Sequence, residues 1–224
     1  MNDLKKLLQN IYHQTGFGVG VEHTQTSEEV RYLYKSRYGK FNLTDAIRPG
    51  QKLEVIPTQG FRHEISKDEY ASNGIKTLIA SVSKELLFDT FLNLMEPMGD
   101  VVDVVLESSH DMPEVEGGGE MYRESIDIPV LMSILYHYED LLLNDGCTGI
   151  AVLNPQLQTE VQFDEHKLLV VYASQLTPFE SILIDSYVDC NECMKVITES
   201  EHVHCSSNRY AEQFAQLRYE LGID

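Results

Sequence analysis

Three apolar runs follow one another at residues 148–154 (TGIAVLN), 159–163 (TEVQF) and 167–172 (KLLVVY), with four residues and then three between them. Their length and β-branched content mark them as strands. Connections this short join antiparallel neighbours, because a parallel crossover needs about a dozen residues or more. The chain is therefore committed to an antiparallel meander. Residues 101–107 (VVDVVLE) read as a further strand, and residues 52–57 (KLEVIP) as a short one closed by Pro57.

Helical periodicity surrounds these strands. Leu4, Leu7, Leu8 and Ile11 place an amphipathic helix at residues 3–13. Ser27 as a cap, Glu28 and Glu29 in the first turn and Gly39 past the end predict a helix at 28–38. Ile75, Leu78, Ile79, Val82, Leu86, Leu87 and Phe91 predict helix through 75–96, stopped by Pro97 and Gly99. Leu131, Ile134, Leu135, Tyr138, Leu141 and Leu142 predict another, capped by Asp127 and ended at Asn144-Asp145-Gly146. Further helices are expected near 179–188, after Pro178, and at 208–221. Residues 107–124, acidic and carrying Gly117 to Gly119, read as a long loop. The expected fold class is α+β, an antiparallel sheet (the meander near 148–172 plus the strand near 101–107) packed against several helices. One domain over 1–224 accommodates it, with residues 1–50 readable as a small helical appendage.

Charge narrows the function classes. The chain carries a net charge of −19; nine Lys/Arg stand against six Asp/Glu in residues 1–62, and eight against thirty afterwards. Phosphate backbones are bound by releasing counterions to Lys and Arg, so double-stranded nucleic acid is excluded as a partner for most of the chain. The acidic excess suits solubility or a basic protein partner. The stretch from Arg31 to Phe41 interleaves basic and aromatic side chains, which suits docking on the acidic remainder or on a second copy, so a homodimer is a further reading. Nothing in the sequence reads as a membrane span or a secretory leader, and four cysteines in 224 residues do not make a disulfide scaffold; a cytoplasmic protein with reduced thiols is expected.

Three groups of residues carry candidate chemistry. Cys190 and Cys193, followed by His202, His204 and Cys205, combine the soft donors that Zn²⁺ prefers, and a strand would put His202 and His204 on one face. The spacing matches no standard zinc finger. A competing reading takes Leu183, Tyr187, Cys190, Met194 and Ile197 as a helical core stripe with Cys190 an apolar filler. Ser108-Ser109-His110-Asp111, at a strand end, offers a nucleophile, a base and a carboxylate. Asp164-Glu165-His166, in a hairpin turn, sets two carboxylates beside an imidazole for acid–base work. No phosphate-binding loop, nucleophile elbow or dinucleotide fingerprint is present, since Gly16, Gly18 and Gly20 follow a helix rather than a strand. No cofactor is expected, zinc being the one ion that the Cys/His group would admit. The leading reading is an acidic binding module of the inhibitor or immunity type; the alternatives are a zinc-binding or metal-dependent hydrolytic enzyme and a structural homodimer.

Overall fold

The computed structural model describes residues 31–64, 74–110 and 121–223. The expected helix at 3–13, Asp111 and most of the acidic loop lie outside these residues.

The fold is α+β, built on a seven-stranded antiparallel sheet. In chain order its strands are β4 (Gly60–Glu64), β5 (Lys76–Ser81), β6 (Val101–Ser108), β7 (Tyr122–Asp127), β8 (Thr148–Asn154), β9 (Thr159–Phe163) and β10 (Leu168–Ala173). They lie side by side as β4-β5-β10-β9-β8-β6-β7. The three-strand meander is present as expected and forms the centre. Its register places Val171 opposite Val161 and Leu169 opposite Phe163. Side chains alternate between faces, so Val161, Phe163, Leu169 and Val171 enter the main core together with Leu78, Val104 and Val152.

Among the described residues five helices cover that core: α1 (Lys84–Asn93), α2 (Ile128–His137), α3 (Glu139–Asn144), α4 (Thr177–Asp185) and α5 (Asn208–Glu220). Phe91 of α1 meets Phe163 edge-on at 5.2 Å, while Leu135, Leu141, Leu183 and Phe214 complete the layer. The helix expected after Asp127 is divided at Tyr138 into α2 and α3. No helix among the described residues is long and apolar enough to cross a membrane.

Local patterns misled at four places. Residues 76–81 form strand β5, and only 84–93 are helical. A six-residue run fits either period; Leu78 and Ala80 face the core, while Ile79 packs on the opposite face against Leu168, Met194 and Val196. Residues 31–34 form a single 3-10 turn, and β1 (Arg37–Tyr38) pairs with β2 (Phe41–Asn42). Gly39, a helix stop by its sequence context, is instead the left-handed turn residue of this hairpin, at φ +63°. Residues 52–57 form no strand. Finally, α4 ends at Asp185, so the stripe from Leu183 to Ile197 is not one helix, and Cys190 is exposed.

The segment beyond α4 carries ligand-type residues to two separate places. The chain turns at Tyr187 (φ +62°) and runs along the outer side of β4. The Phe61 amide donates to Asp189 O (3.0 Å), and the Asn191 amide donates to Phe61 O (2.7 Å), so the edge strand is covered. Met194 and Val196 then pack on the sheet face opposite the helices. Next, β11 (His202–His204) pairs antiparallel with β3 (Ile47–Pro49) into a two-stranded ribbon.

Candidate metal centre

The ribbon aligns two imidazoles. His202 stands opposite Pro49 and His204 opposite Ile47; the two-residue period puts both histidines on one face and exposed Val203 on the other. Ile47 is buried with Ala46 and Ile197, which fixes the ribbon's inner face.

A third imidazole arrives from the turn between β9 and β10. The Lys167 amide donates to Asp164 O (3.0 Å) and the Asp164 amide to Leu168 O (3.1 Å). Lys167 takes the left-handed position (φ +63°), the arrangement of a type I turn closed by a bulge. Glycine is the usual occupant there. The buried Lys167 is held instead by its Nζ donating to Thr148 O (2.8 Å). This turn directs His166 at the ribbon. Ring centroids lie 5.0 Å apart for His166 and His202, 4.8 Å for His166 and His204, and 5.2 Å for His202 and His204.

Each ring is oriented through Nδ1. In His166 it meets Asp164 Oδ2 (3.0 Å), in His202 Ser200 O (2.8 Å), and in His204 Gly146 O (2.6 Å). Acceptors at these positions require Nδ1 to carry the proton, so that in the neutral form of each ring Nε2 is the atom with the lone pair. One ring nitrogen from each histidine lies within 4.8 Å of the others. Zinc–nitrogen bonds of about 2.0–2.1 Å in a tetrahedron space their ligand atoms roughly 3.4 Å apart. Anchoring of the far nitrogen by a carboxylate or carbonyl is the arrangement that metal-binding histidines use.

The carbonyl that holds His204 depends on a close approach of backbones. A Cβ on Gly146 would collide with Ala46 O and lie 2.9 Å from Cys205 O. The Gly146 amide donates to Cys205 O (2.8 Å) and the Cys205 amide to Ala46 O (2.7 Å). The turn from α3 into β8 is thereby stitched to the ribbon.

Electrostatics differ among the three rings. Burial opposes a charge on His166, but the Asp164 carboxylate outweighs it and raises its pKa. Burial lowers the pKa of His202, and the neighbouring rings add to that. Complete burial pulls Lys167 down to about 8. A narrow cleft of about 20 Å³, room for a water or two, is lined by His166, Thr44, Ile47 and Ile197 among others.

The sequence candidates divide between sites. Asp164 orients His166 rather than standing as an independent base. Glu165 turns the other way and accepts from Ser109 Oγ (3.0 Å). His110 Nε2 bonds Asp145 Oδ2 (2.8 Å), a buried carboxylate that also accepts from Thr148 and Ser206. Cys147 lies beside that pair. Asp111 is outside the described residues. Cys190 and Cys193 sit on the segment along β4, where Cys190 meets His63 and Glu192 and not the ribbon histidines. Cys205 is half-buried and its thiol joins none of the metal-ligand groupings among the described residues. Sequence reasoning missed the union of His166 with His202 and His204; it also missed His63, which lies on the strand not foreseen at 60–64. Only the paired His-x-His signal was local.

Comparison with protein-family models, with curated proteins and with solved structures found no match to this chain.

Proposed function

We propose that the protein holds a divalent transition-metal ion, zinc by ligand chemistry, on His166, His202 and His204, and works as a metal-dependent hydrolytic enzyme. The observation that carries this reading is the anchoring of all three Nδ1 atoms in rings that bring one nitrogen each within 4.8 Å of the others. Three protein ligands leave a fourth position, and such zinc centres are the ones that bind and activate water. A metal held there by His166, His202 and His204 would supply a water of lowered pKa, the chemistry that hydrolysis of an ester, amide or phosphoester draws on. Among the described residues no fourth side chain groups with these three.

The test is metal analysis of the purified full chain, followed by chelation and reloading with zinc. One equivalent bound to the histidines is expected, lost in His166→Ala and in His204→Ala. Hydrolysis of an activated ester should fall on chelation and return with zinc. Failure of the reloaded chain to retain zinc would sink the proposal. The acidic-module reading rests on the charge excess and the lack of a catalytic motif, and predicts salt-sensitive association with a cationic protein that is indifferent to chelation.

A further inference from the structure

We infer that a second, independent metal site lies at the β4 edge, built from His63 Nδ1, Cys190 Sγ and a Glu192 carboxylate oxygen, with Glu180 orienting His63 and a preference for thiophilic divalent cations such as Zn²⁺ or Co²⁺. These three donor atoms lie within 4.8 Å of one another and come from two chain segments already paired through Phe61. The positions are fixed by backbone. The His63 amide donates to Glu192 Oε2 (3.1 Å), while Cys190 is the residue bridged to Phe61.

The His63 ring shows which nitrogen serves. Its Nε2 lies 2.7 Å from Glu180 Oε1 on α4, and its Nδ1 lies 2.5 Å from Glu192 Oε1. No neutral tautomer donates at both nitrogens, so this ring is an imidazolium, in keeping with a pKa raised by Glu192 and Glu180. The Cys190 thiol donates to that same Glu192 oxygen (3.3 Å). Two protons, one on nitrogen and one on sulfur, therefore converge on a single oxygen. Replacing both by one dication leaves the local charge unchanged: imidazolium, thiol and carboxylate become imidazole, thiolate and carboxylate around a doubly charged metal. The Glu180 contact persists through the exchange, and a carboxylate on the far nitrogen is how histidine ligands are commonly held. A metal here would clamp the covering segment to β4.

Cobalt substitution of the full chain tests this without interference from the histidine centre. Thiolate coordination gives an intense sulfur-to-cobalt charge-transfer band, which an all-histidine site cannot produce. The wild-type protein should show the band on adding Co²⁺. A His202→Ala/His204→Ala variant should keep it, and Cys190→Ser should abolish it. Glu192→Gln should weaken binding at least ten-fold while circular dichroism stays unchanged. A wild-type titration without the band overturns the inference, and so does a band that survives Cys190→Ser. Neither result bears on zinc at His166, His202 and His204.

Discussion

The two clusters differ in what their donor side chains are tied to. At the sheet end, each imidazole bonds outward through Nδ1, to Asp164, Ser200 O or Gly146 O, and every hydrogen bond these rings make among the described residues falls on that atom. At the β4 edge the donors bond to each other: His63 and Cys190 both spend their protons on Glu192. On the proposed reading, an ion entering the first arrangement would displace little. The second is a self-satisfied ion pair that a metal must take apart. Burial follows the same division, since the His166 side chain is 10% exposed and that of Glu192 54%. Proximity of ligand types is thus a weaker signal than the direction in which their other atoms are tied. Metal affinity should therefore be higher, and less sensitive to competing protons, at the histidine cluster.

The contrast breaks most severely at Gly146. Gly146→Ala brings a Cβ against two backbone oxygens that a side-chain rotation cannot relieve. Unfolding by urea should show a loss of about 3 kcal/mol, in the range of severe packing strain. Zinc binding at the histidines should fail with it, because the carbonyl holding His204 moves. Cobalt–thiolate absorbance at Cys190 should persist wherever the chain remains folded. An unchanged urea midpoint would show that the ribbon is not stitched to the sheet at this residue.

Both clusters ride on the central sheet, so its own pH response has to be known before metal release is compared between them. Glu160 on β9 is buried, and its pKa is pushed up to about 7 by burial, against a Gln162 hydrogen bond and with a further push from Glu107. The unfolded chain releases this proton near the ordinary value of 4.5, while the folded chain retains it to about 7. Protonation thus favours folding: stability is greatest below the ordinary value and declines as pH rises toward 7. The full span is worth up to about 3 kcal/mol. Glu160→Gln should flatten that decline, read as urea midpoints at about pH 5 and about pH 8. An equal slope in the variant would place the titration elsewhere.

The meander, the strand at 101–108 and α5 were legible from sequence because each is specified by local alternation or periodicity over its own length. The β5 strand was not, since its Leu78 and Ile79 satisfy a helical template that only pairing with β4 and β10 overrules. The same division holds in the site. His202 and His204 announce a shared face by their spacing. His166 joins them only after the sheet places its turn against the ribbon, and no local pattern encodes that meeting. Cys190 stands apart from the histidines for a physical reason: α4 ends at Asp185, and the chain beyond it must cover the β4 edge before it reaches the ribbon.

The smallest expected effects give the sharpest comparison, because each changes the support of one cluster and leaves the other untouched. Asp164→Asn removes the charge that holds His166 Nδ1 and should weaken zinc there by about 100-fold, the upper end for loss of such a partner, with cobalt–thiolate binding unchanged. Glu180→Gln is the reciprocal change. The amide oxygen can still accept from His63 Nε2, so geometry survives and only the charge is lost. The expected weakening at the Cys190 site is about ten-fold, the lower end for loss of such a partner, with zinc at the histidines unaffected. The asymmetry has a cause: Asp164 also fixes the turn by accepting from the Leu168 amide (2.8 Å), whereas Glu180 projects from a helix that stands without it. Were Glu180→Gln to cost the Cys190 site as much as Asp164→Asn costs the histidines, the β4 cluster would be as firmly organised as the sheet end, and the distinction between a prepared site and a self-satisfied one would fall.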